Sequence, residues 1–259
     1  MARFDTVVIS DLHLGARNAR PTELLRFLDW VDTDRLIVAG DLFEHPRLHG
    51  LEGVHADAFE ALRSFARSRP VTWLCGNHDP AAEWWRGVLG IEAQQEMLCE
   101  FGGRHYLVCH GHRWDASLKL PSPIIAAADG IYHACQWADP SHRLARRLKR
   151  GSKCFCRVVE SLRRHAIAEA RERRLAGVIL GHSHVASDLR AGDVHYLNSG
   201  CWTERPAGFI GVRDGQPRRY FWEAALRRSL RVAKKLANQA IPAALALPRW
   251  QVAPAGGGV

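Results

Sequence analysis

The chain has 259 residues, 47% of them hydrophobic and 24% charged, which is ordinary for a soluble globular protein with a sizeable core. No stretch of about 18 apolar residues exists, and the N-terminus lacks the basic and apolar regions of a signal peptide, so we expect neither a transmembrane helix nor secretion. Seven cysteines without Cys-x-x-Cys spacing indicate reduced thiols and a cytoplasmic protein.

Short apolar runs alternate with amphipathic stretches along the first half of the chain. Runs that are rich in β-branched residues predict strands, and apolar residues at three- and four-residue spacings predict helices. This alternation favours a layered α/β core. The pattern predicts strands over 7–9, 35–39, 71–75, 106–109, 177–180, 194–198, 209–212 and 220–222, and helices over 22–30, 55–68 and 83–89.

Five of the predicted strands end in glycine beside an acid, an amide or a histidine. Loops that follow the carboxyl ends of strands line one rim of an α/β fold, where ligands bind. Glycine allows the backbone to turn sharply and to approach a central object. We therefore expect one shared site built from Asp11 and His13, Asp41, Asn77 and His78, His110 and His112, and His182 and His184.

This rim offers more ligand atoms than one metal ion needs. It has two carboxylates, one amide and four or five imidazoles, which suits two ions better than one. Asp41 has two oxygens and is the natural bridge between ions about 4 Å apart, a spacing at which both can clamp one in-line displacement. Such a pair acidifies water and neutralises charge on a phosphate, so the pattern predicts phosphoester hydrolysis.

The ordered motifs resemble those of the calcineurin-like metallophosphoesterases, from about residue 5 to residue 222. The resemblance implies an α/β protein with a four-layered α/β/β/α sandwich, a domain over 1–222, and a metal-dependent phosphoric ester or pyrophosphate hydrolase. The motifs are Asp11-x-His13, Gly40-Asp41-x-x-Glu44, Gly76-Asn77-His78-Asp79, His110-Gly111-His112 and Gly181-His182-x-His184.

The same resemblance implies a role for each site residue. It makes His78 and Asp41 catalytic, with His78 beside the substrate phosphate. The alternative for His78 is a hydrogen bond to Asp79 or Asp11, and His112 is expected to shape its loop. The donor set has oxygen and nitrogen but no thiolate, so manganese is expected, with iron or zinc as alternatives. The resemblance assigns the first metal ion to Asp11, His13, Asp41 and His184, and the second to Asp41, Asn77, His110 and His182.

A narrower resemblance is to the UDP-2,3-diacylglucosamine hydrolase-like branch and its paralogues. It is carried by the stretches 10–15, 40–44 and 196–204 and by a long basic insertion. It implies a helical lid over about 116–174 and a lipid A pathway reaction that releases UMP and an acylated sugar phosphate. With His78, the residues expected to bind this substrate are Asp115, Lys153 and Arg157.

Two positions depart from the best-known enzymes of that branch. They have Arg where this chain has His78, and Asp where it has His112. A metallophosphodiesterase or phosphatase that acts on a soluble nucleotide or a nucleic acid therefore remains the alternative, with nucleic acid the less expected substrate. The segment 142–174 carries twelve Lys or Arg and three Glu, and it could equally be a helical hairpin with a solvated basic face.

The C-terminal region, 223–259, predicts a basic amphipathic helix followed by a disordered tail. Leucines at helical spacing over 223–247 face away from a cluster of arginines and lysines. Such a helix can pack on its own domain or lie on an anionic membrane, here the cytoplasmic face of the inner membrane. The oligomeric state stays open.

Overall fold

Two β-sheets with helices on their outer faces form the part of the chain that the computed structural model describes, residues 2–48, 51–115 and 153–240. Among these residues no helix combines the length and the apolar character that a membrane span requires. In chain order the elements are β1 (Ala2–Ile9), α1 (Pro21–Trp30), β2 (Val31–Ala39), α2 (Val54–Ser68), β3 (Val71–Leu74), α3 (Ala82–Trp84) with a π-helical turn (Trp85–Leu89), β4 (Ala93–Gln94), β5 (Glu96–Phe101), β6 (Arg104–Cys109), a 3-10 turn (His112–Trp114), α4 (Lys153–Glu172), β7 (Gly177–Leu180), β8 (Ser187–Ala191), β9 (Val194–Asn198), β10 (Gly208–Arg213), β11 (Gln216–Phe221) and α5 (Trp222–Ala240).

The strand order brings the ends of the site-bearing strands together. The first sheet has the order β11-β10-β1-β2-β3-β4, in which β1 to β4 are parallel. The second has the order β5-β6-β7-β9-β8, with β6, β7 and β9 parallel. Parallel neighbours end at the same edge of a sheet, so the loops after β1, β2 and β3 are adjacent, as are those after β6 and β7.

Alternating side chains of β1 enter two different cores. Val7 and Ile9 pack with helices α1, α2 and α5, whereas Val8 packs between the sheets. Strands that are covered on both faces are hydrophobic along their whole length, which explains the unbroken apolar run. A third core joins Leu107 and Val178 of the second sheet to α4. The layers are therefore helix, sheet, sheet and helix, and the predicted α/β/β/α sandwich is confirmed.

The prediction missed three strands, β4, β5 and β8. The strand predicted over 106–109 as the fourth is therefore the sixth. Strand β5 alternates inward and outward residues, with Cys99 and Phe101 buried, but exposed Leu98 interrupts the polar face that would have marked it. Strand β8 lies at the edge of its sheet, and its mixed sequence carries little apolar signal.

The last part of the predicted lid is a helix whose later turns pack on the second sheet. Within 116–174, residues 116–152 lie outside the described residues, so the lid remains a prediction there. From Lys153 the chain forms the single helix α4, which buries Leu162, Ala166 and Ala170 against the second sheet. This helix is the fourth layer of the sandwich, and its apolar stripe is occupied by the core.

The first turns of the C-terminal helix pack on the domain. Trp222 is buried in the core beside Phe27, and the Trp30 Nε1–H donates to Ser229 Oγ at 3.0 Å. Of the two alternatives for this helix, packing on its own domain therefore applies to its start. Residues 241–259, including the predicted disordered tail, lie outside the described residues.

Candidate metal centre

The predicted ligands are held in an unusual backbone conformation. Non-glycine residues rarely adopt a positive φ, which costs about 1–3 kcal/mol and collects at functional sites. Eight described non-glycine residues do so, and five of them belong to the predicted site. The φ values of these five are 54° at Asp11, 46° at His13, 52° at Asp41, 64° at His182 and 59° at His184.

Two glycines allow the loops to approach the site closely. A Cβ at Gly76 would overlap the backbone nitrogen and the carboxylate of Asp41. A Cβ at Gly40, where φ is 87°, would lie 2.5 Å from the ring of His110. Neither position tolerates a side chain without displacing a predicted ligand, as the recurring glycines indicated.

The first cluster joins the loops after β1 and β7. His13 Nε2 lies 3.2 Å from His184 Nε2, and His184 Nε2 lies 3.2 Å from Asp11 Oδ1. The opposite nitrogen of His13, Nδ1, lies 2.7 Å from Glu44 Oε2. Since a carboxylate accepts, Nδ1 carries the proton and Nε2 presents a lone pair to the cluster.

The second cluster joins both sheets. His110 Nδ1 donates to the backbone oxygen of Ala39 at 3.0 Å, which leaves a lone pair on Nε2. That Nε2 lies 3.2 Å from both Asn77 Oδ1 and Asp41 Oδ2. One ligand atom of His182 lies within 4.8 Å of those of Asp41 and His110.

Asp41 stands between the two clusters. Its Oδ2 lies 3.6 Å from His13 Nε2 in the first cluster and 3.2 Å from His110 Nε2 in the second. Its Oδ1 accepts the backbone N–H of His78 at 2.9 Å, which fixes the carboxylate. Burial alone would raise the pKa of Asp41, but the imidazoles of His110 and His13 hold it well below its usual range. Asp41 is therefore an anion shared by both clusters.

The arrangement of acceptors fits divalent cations. When the rings are neutral, with the proton of each on the other nitrogen, the lone pairs of His13, His110, Asp41 and Asn77 face one another with no hydrogen atom between them. Such a buried group of acceptors is stable only around positive charge. Burial would lower the pKa of His110, yet the Asp41 carboxylate raises it to about 10, so that without a bound ion a second proton on this ring supplies the positive charge.

Residues 4–217 match the calcineurin-like phosphoesterase superfamily domain. The chain belongs to this superfamily. It is accordingly a metal-dependent phosphoester hydrolase of the metallophosphoesterase type. Among curated proteins no sequence matches it.

Several solved structures are similar to the chain. YfcE, a phosphoesterase from E. coli, has 15% identity and a TM-score of 0.46, over 83% of this chain and 97% of that one. Vps29 from Entamoeba histolytica, in complex with zinc, has 15% identity and a TM-score of 0.44, over 84% and 98%. A conserved protein from Streptococcus pneumoniae, described as a predicted phosphoesterase, has 15% identity and a TM-score of 0.40, over 85% and 99%.

Two carboxylates orient histidines of this superfamily site. Glu44 holds His13 through Nδ1, and Asp115 Oδ2 lies 2.8 Å from His182 Nε2. Carboxylates in this position fix the orientation of a ligating imidazole and raise its basicity. The sequence predicted a substrate contact for Asp115 and no separate role for Glu44. The structure pairs both carboxylates with histidines, and the substrate contact of Asp115 stays a prediction. For Glu44 the signal was present in the motif Gly40-Asp41-x-x-Glu44.

His78 lies at the edge of the site, half-buried. Its Nδ1 donates to the backbone oxygen of Glu44 at 3.0 Å, not to Asp79 or Asp11, so the predicted alternative contacts are wrong. Its ring meets that of His13 edge to face, with centroids 4.9 Å apart. Asp79 instead accepts the N–H groups of Phe43 and Gly76, at 3.0 and 2.8 Å, and so ties two site loops together.

The remaining predicted site residues either do not join the two clusters or lie outside the described residues. Arg157 is exposed on α4, and within the described part of the chain no hydrogen bond or ion pair joins it to the clusters. The side chain of Lys153 lies outside the described residues. His112 opens the 3-10 turn after β6, with its ring centroid 5.5 Å from that of His110, and its role in shaping the loop stays a prediction.

Proposed function

We propose that the chain is a dinuclear-metal hydrolase that cleaves the diphosphate of a UDP-2,3-diacylglucosamine-like substrate and releases UMP and an acylated sugar phosphate. The two-ion part rests on one observation, the position of Asp41 Oδ2 between His13 Nε2 and His110 Nε2. The choice of substrate rests on the motif resemblance to the UDP-2,3-diacylglucosamine hydrolase-like branch.

Each ion would have ligands from more than one loop. Asp11, His13 and His184 would hold the first ion, and Asn77, His110 and His182 the second, with Asp41 bound to both. The metals are two divalent ions, manganese first and iron or zinc next, because the donors are nitrogen and oxygen. When bound, such a pair supplies a nucleophile at neutral pH and stabilises the negative charge on the phosphate.

The protein residues then position the substrate and move a proton. Glu44 and Asp115 keep the imidazoles of His13 and His182 facing the ions. His78 holds its Nδ1 proton on the carbonyl of Glu44, so its Nε2 is the ring atom that can serve the substrate. At this edge of the site, the imidazolium form, which carries a proton on Nε2 as well, would stabilise the leaving oxygen or protonate it.

A soluble nucleotide is the second candidate substrate, and one residue favours it. His78 occupies the position where the best-known lipid-cleaving enzymes have Arg, so the chain departs from them at a residue expected to meet the substrate. Contact with an anionic membrane is supported by Arg227, Arg228 and Arg231, which are exposed on α5 next to Leu230, itself 60% exposed. We place the protein in the cytoplasm, with this surface available to the inner membrane.

The test is hydrolysis by metal-depleted protein that has been reconstituted with manganese, zinc or iron. UDP-2,3-diacylglucosamine is compared with bis-p-nitrophenyl phosphate and with cyclic nucleotides. We expect turnover of the UDP-lipid, with manganese giving the highest rate. Turnover of the small diesters alone would remove the lipid substrate and leave the soluble alternative.

The matched variants are Asp41→Ala and Asp29→Ala. Asp29 is exposed on α1, so its loss leaves activity unchanged. Loss of Asp41 removes the ligand that both ions share, and hydrolysis of every substrate should stop. Hydrolysis that survives in Asp41→Ala would contradict the two-ion arrangement itself.

A further inference from the structure

A cavity of about 450 Å³ opens beside the first metal cluster. It lies between the first two turns of α4, the segment after His184, the loop 200–206 and strand β11. Its volume falls within the range of sites that bind small molecules. None of the predicted site residues except His184 lines it.

His184 connects this cavity to the metal cluster. Its Nε2 lies 3.2 Å from Asp11 Oδ1, and the same residue forms part of the cavity wall. The organic group next to a phosphate bound at the clusters would therefore lie beside this cavity.

The lining combines aromatic and charged side chains. Phe155, Val159, Val185 and Phe221 supply apolar surface, and Arg219 belongs to the same wall. A hydrocarbon chain would make no use of the charged groups. A flat heterocycle uses both, since its faces stack on aromatic rings and its edge carries hydrogen-bond donors and acceptors.

One wall is held rigid before any ligand binds. The guanidinium of Arg219 lies 5.0 Å from the centroid of the Phe221 ring, and its Nη1 donates to the backbone oxygen of Ala186 at 3.1 Å. The backbone N–H of Arg219 donates to Asp188 Oδ2 at 3.0 Å. A preorganised aromatic surface binds a planar ring at low entropic cost.

We propose that this cavity binds the nucleobase of the substrate, so that the enzyme selects nucleotidyl phosphoesters over simple ones. The inference rests on the proposed function, because it names the group that accompanies the phosphate at the metal centre. It applies to a UDP-linked lipid and to a soluble nucleotide alike, since both carry a base.

The test compares two esters with the same leaving group, the p-nitrophenyl ester of thymidine 5′-monophosphate and methyl p-nitrophenyl phosphate. The ratio of their kcat/KM values isolates the contribution of the nucleoside. We expect Phe221→Ala to lower this ratio by about tenfold, the scale of one lost stacking partner. Phe155→Ala should lower it in the same direction. Leu98→Ala, at an exposed position of β5 that is not part of the lining, is the control and leaves the ratio unchanged.

A second readout does not depend on activity. Saturation-transfer NMR with UMP should show stronger transfer to the base protons than to the ribose protons, and Phe221→Ala should weaken the base signals. If both variants keep the wild-type ratio, or if transfer favours the ribose, the cavity does not bind the base. If the wild-type protein hydrolyses neither these esters nor UDP-2,3-diacylglucosamine with any metal, the proposed function fails, and the NMR result alone decides whether the cavity binds the base.

Discussion

The metal centre and the cavity next to it are built in different ways. The ligands of the metal centre follow directly after strand ends, and Asp11 and His110 are fully buried. The cavity is assembled from a helix start, a late loop and an edge strand, and most of its lining residues are half-buried or exposed. Residues that perform the chemistry are thus fixed by short motifs, whereas residues that meet the rest of the substrate come from distant segments.

The largest expected effect comes from removal of the metal ions, which should abolish the reaction at the metal centre but leave ligand binding in the cavity. After treatment with a chelator, hydrolysis of every phosphoester should fall by roughly a thousandfold or more, because a single fixed electrostatic group already contributes about 10²–10³-fold. The binding of the UMP base, followed by saturation-transfer NMR, should persist, since Phe155 and Phe221 hold no metal. Addition of manganese should restore the rate. Full activity after chelation would contradict a metal-dependent reaction.

The second-largest effect is expected where α4 joins the second sheet. Leu162 is fully buried between this helix and the sheet, so Leu162→Ala leaves a void below the helix that lines the cavity. The free energy of unfolding should fall by about 2–5 kcal/mol, as measured by urea denaturation. Leu230→Ala, at a position that is 60% exposed, is the control. An equal loss in both variants would show that α4 does not depend on this core.

The metal centre was more predictable than its surroundings because its ligands are local in sequence. Asp11 and His13 follow closely after β1, and the ends of parallel strands place Asp41 and Asn77 beside them, although the left-handed backbone at Asp11 and His13 was not predicted. The partner of His182 was not predictable, because Asp115 follows a different strand and no short spacing links the two. The lining of the cavity depends on how the start of α4 packs against β11, and strand patterns carry no signal for that.

The two orienting carboxylates offer a smaller and more selective change within the metal centre. Glu44→Gln and Asp115→Asn keep the shape of each side chain but remove the charge that makes the paired imidazole a stronger ligand. Each should weaken the affinity for manganese by about 10–100-fold. In a two-site calorimetric titration, Glu44→Gln should affect the site of His13, and Asp115→Asn the site of His182.

The control for these variants is Glu60→Gln. Glu60 pairs with Arg63 on the exposed surface of α2, at 2.8 Å, and takes no part in the clusters. The affinity of the Glu60→Gln variant for manganese should equal that of the wild type. If Glu44→Gln and Asp115→Asn also bind manganese like the wild type, the two carboxylates do not orient ligands.

The smallest expected effect concerns the wall of the cavity. Asp188 accepts the backbone N–H of Arg219 at 3.0 Å, and its Oδ1 lies 2.9 Å from His195 Nε2. Burial tends to raise the pKa of Asp188, but the hydrogen bond from His195 lowers it below the usual value. A carboxyl with a lowered native pKa stabilises the fold above its unfolded pKa, and this contribution disappears as the pH falls through the native pKa.

Near neutral pH, Asp188→Asn should therefore reduce the free energy of unfolding by about 1 kcal/mol, and the difference from the wild type should vanish in acid. Urea denaturation across this pH range, with the exposed Asp193→Asn as control, measures the effect. A difference that stays constant down to the lowest pH would show that the charge of Asp188 does not hold this wall in place.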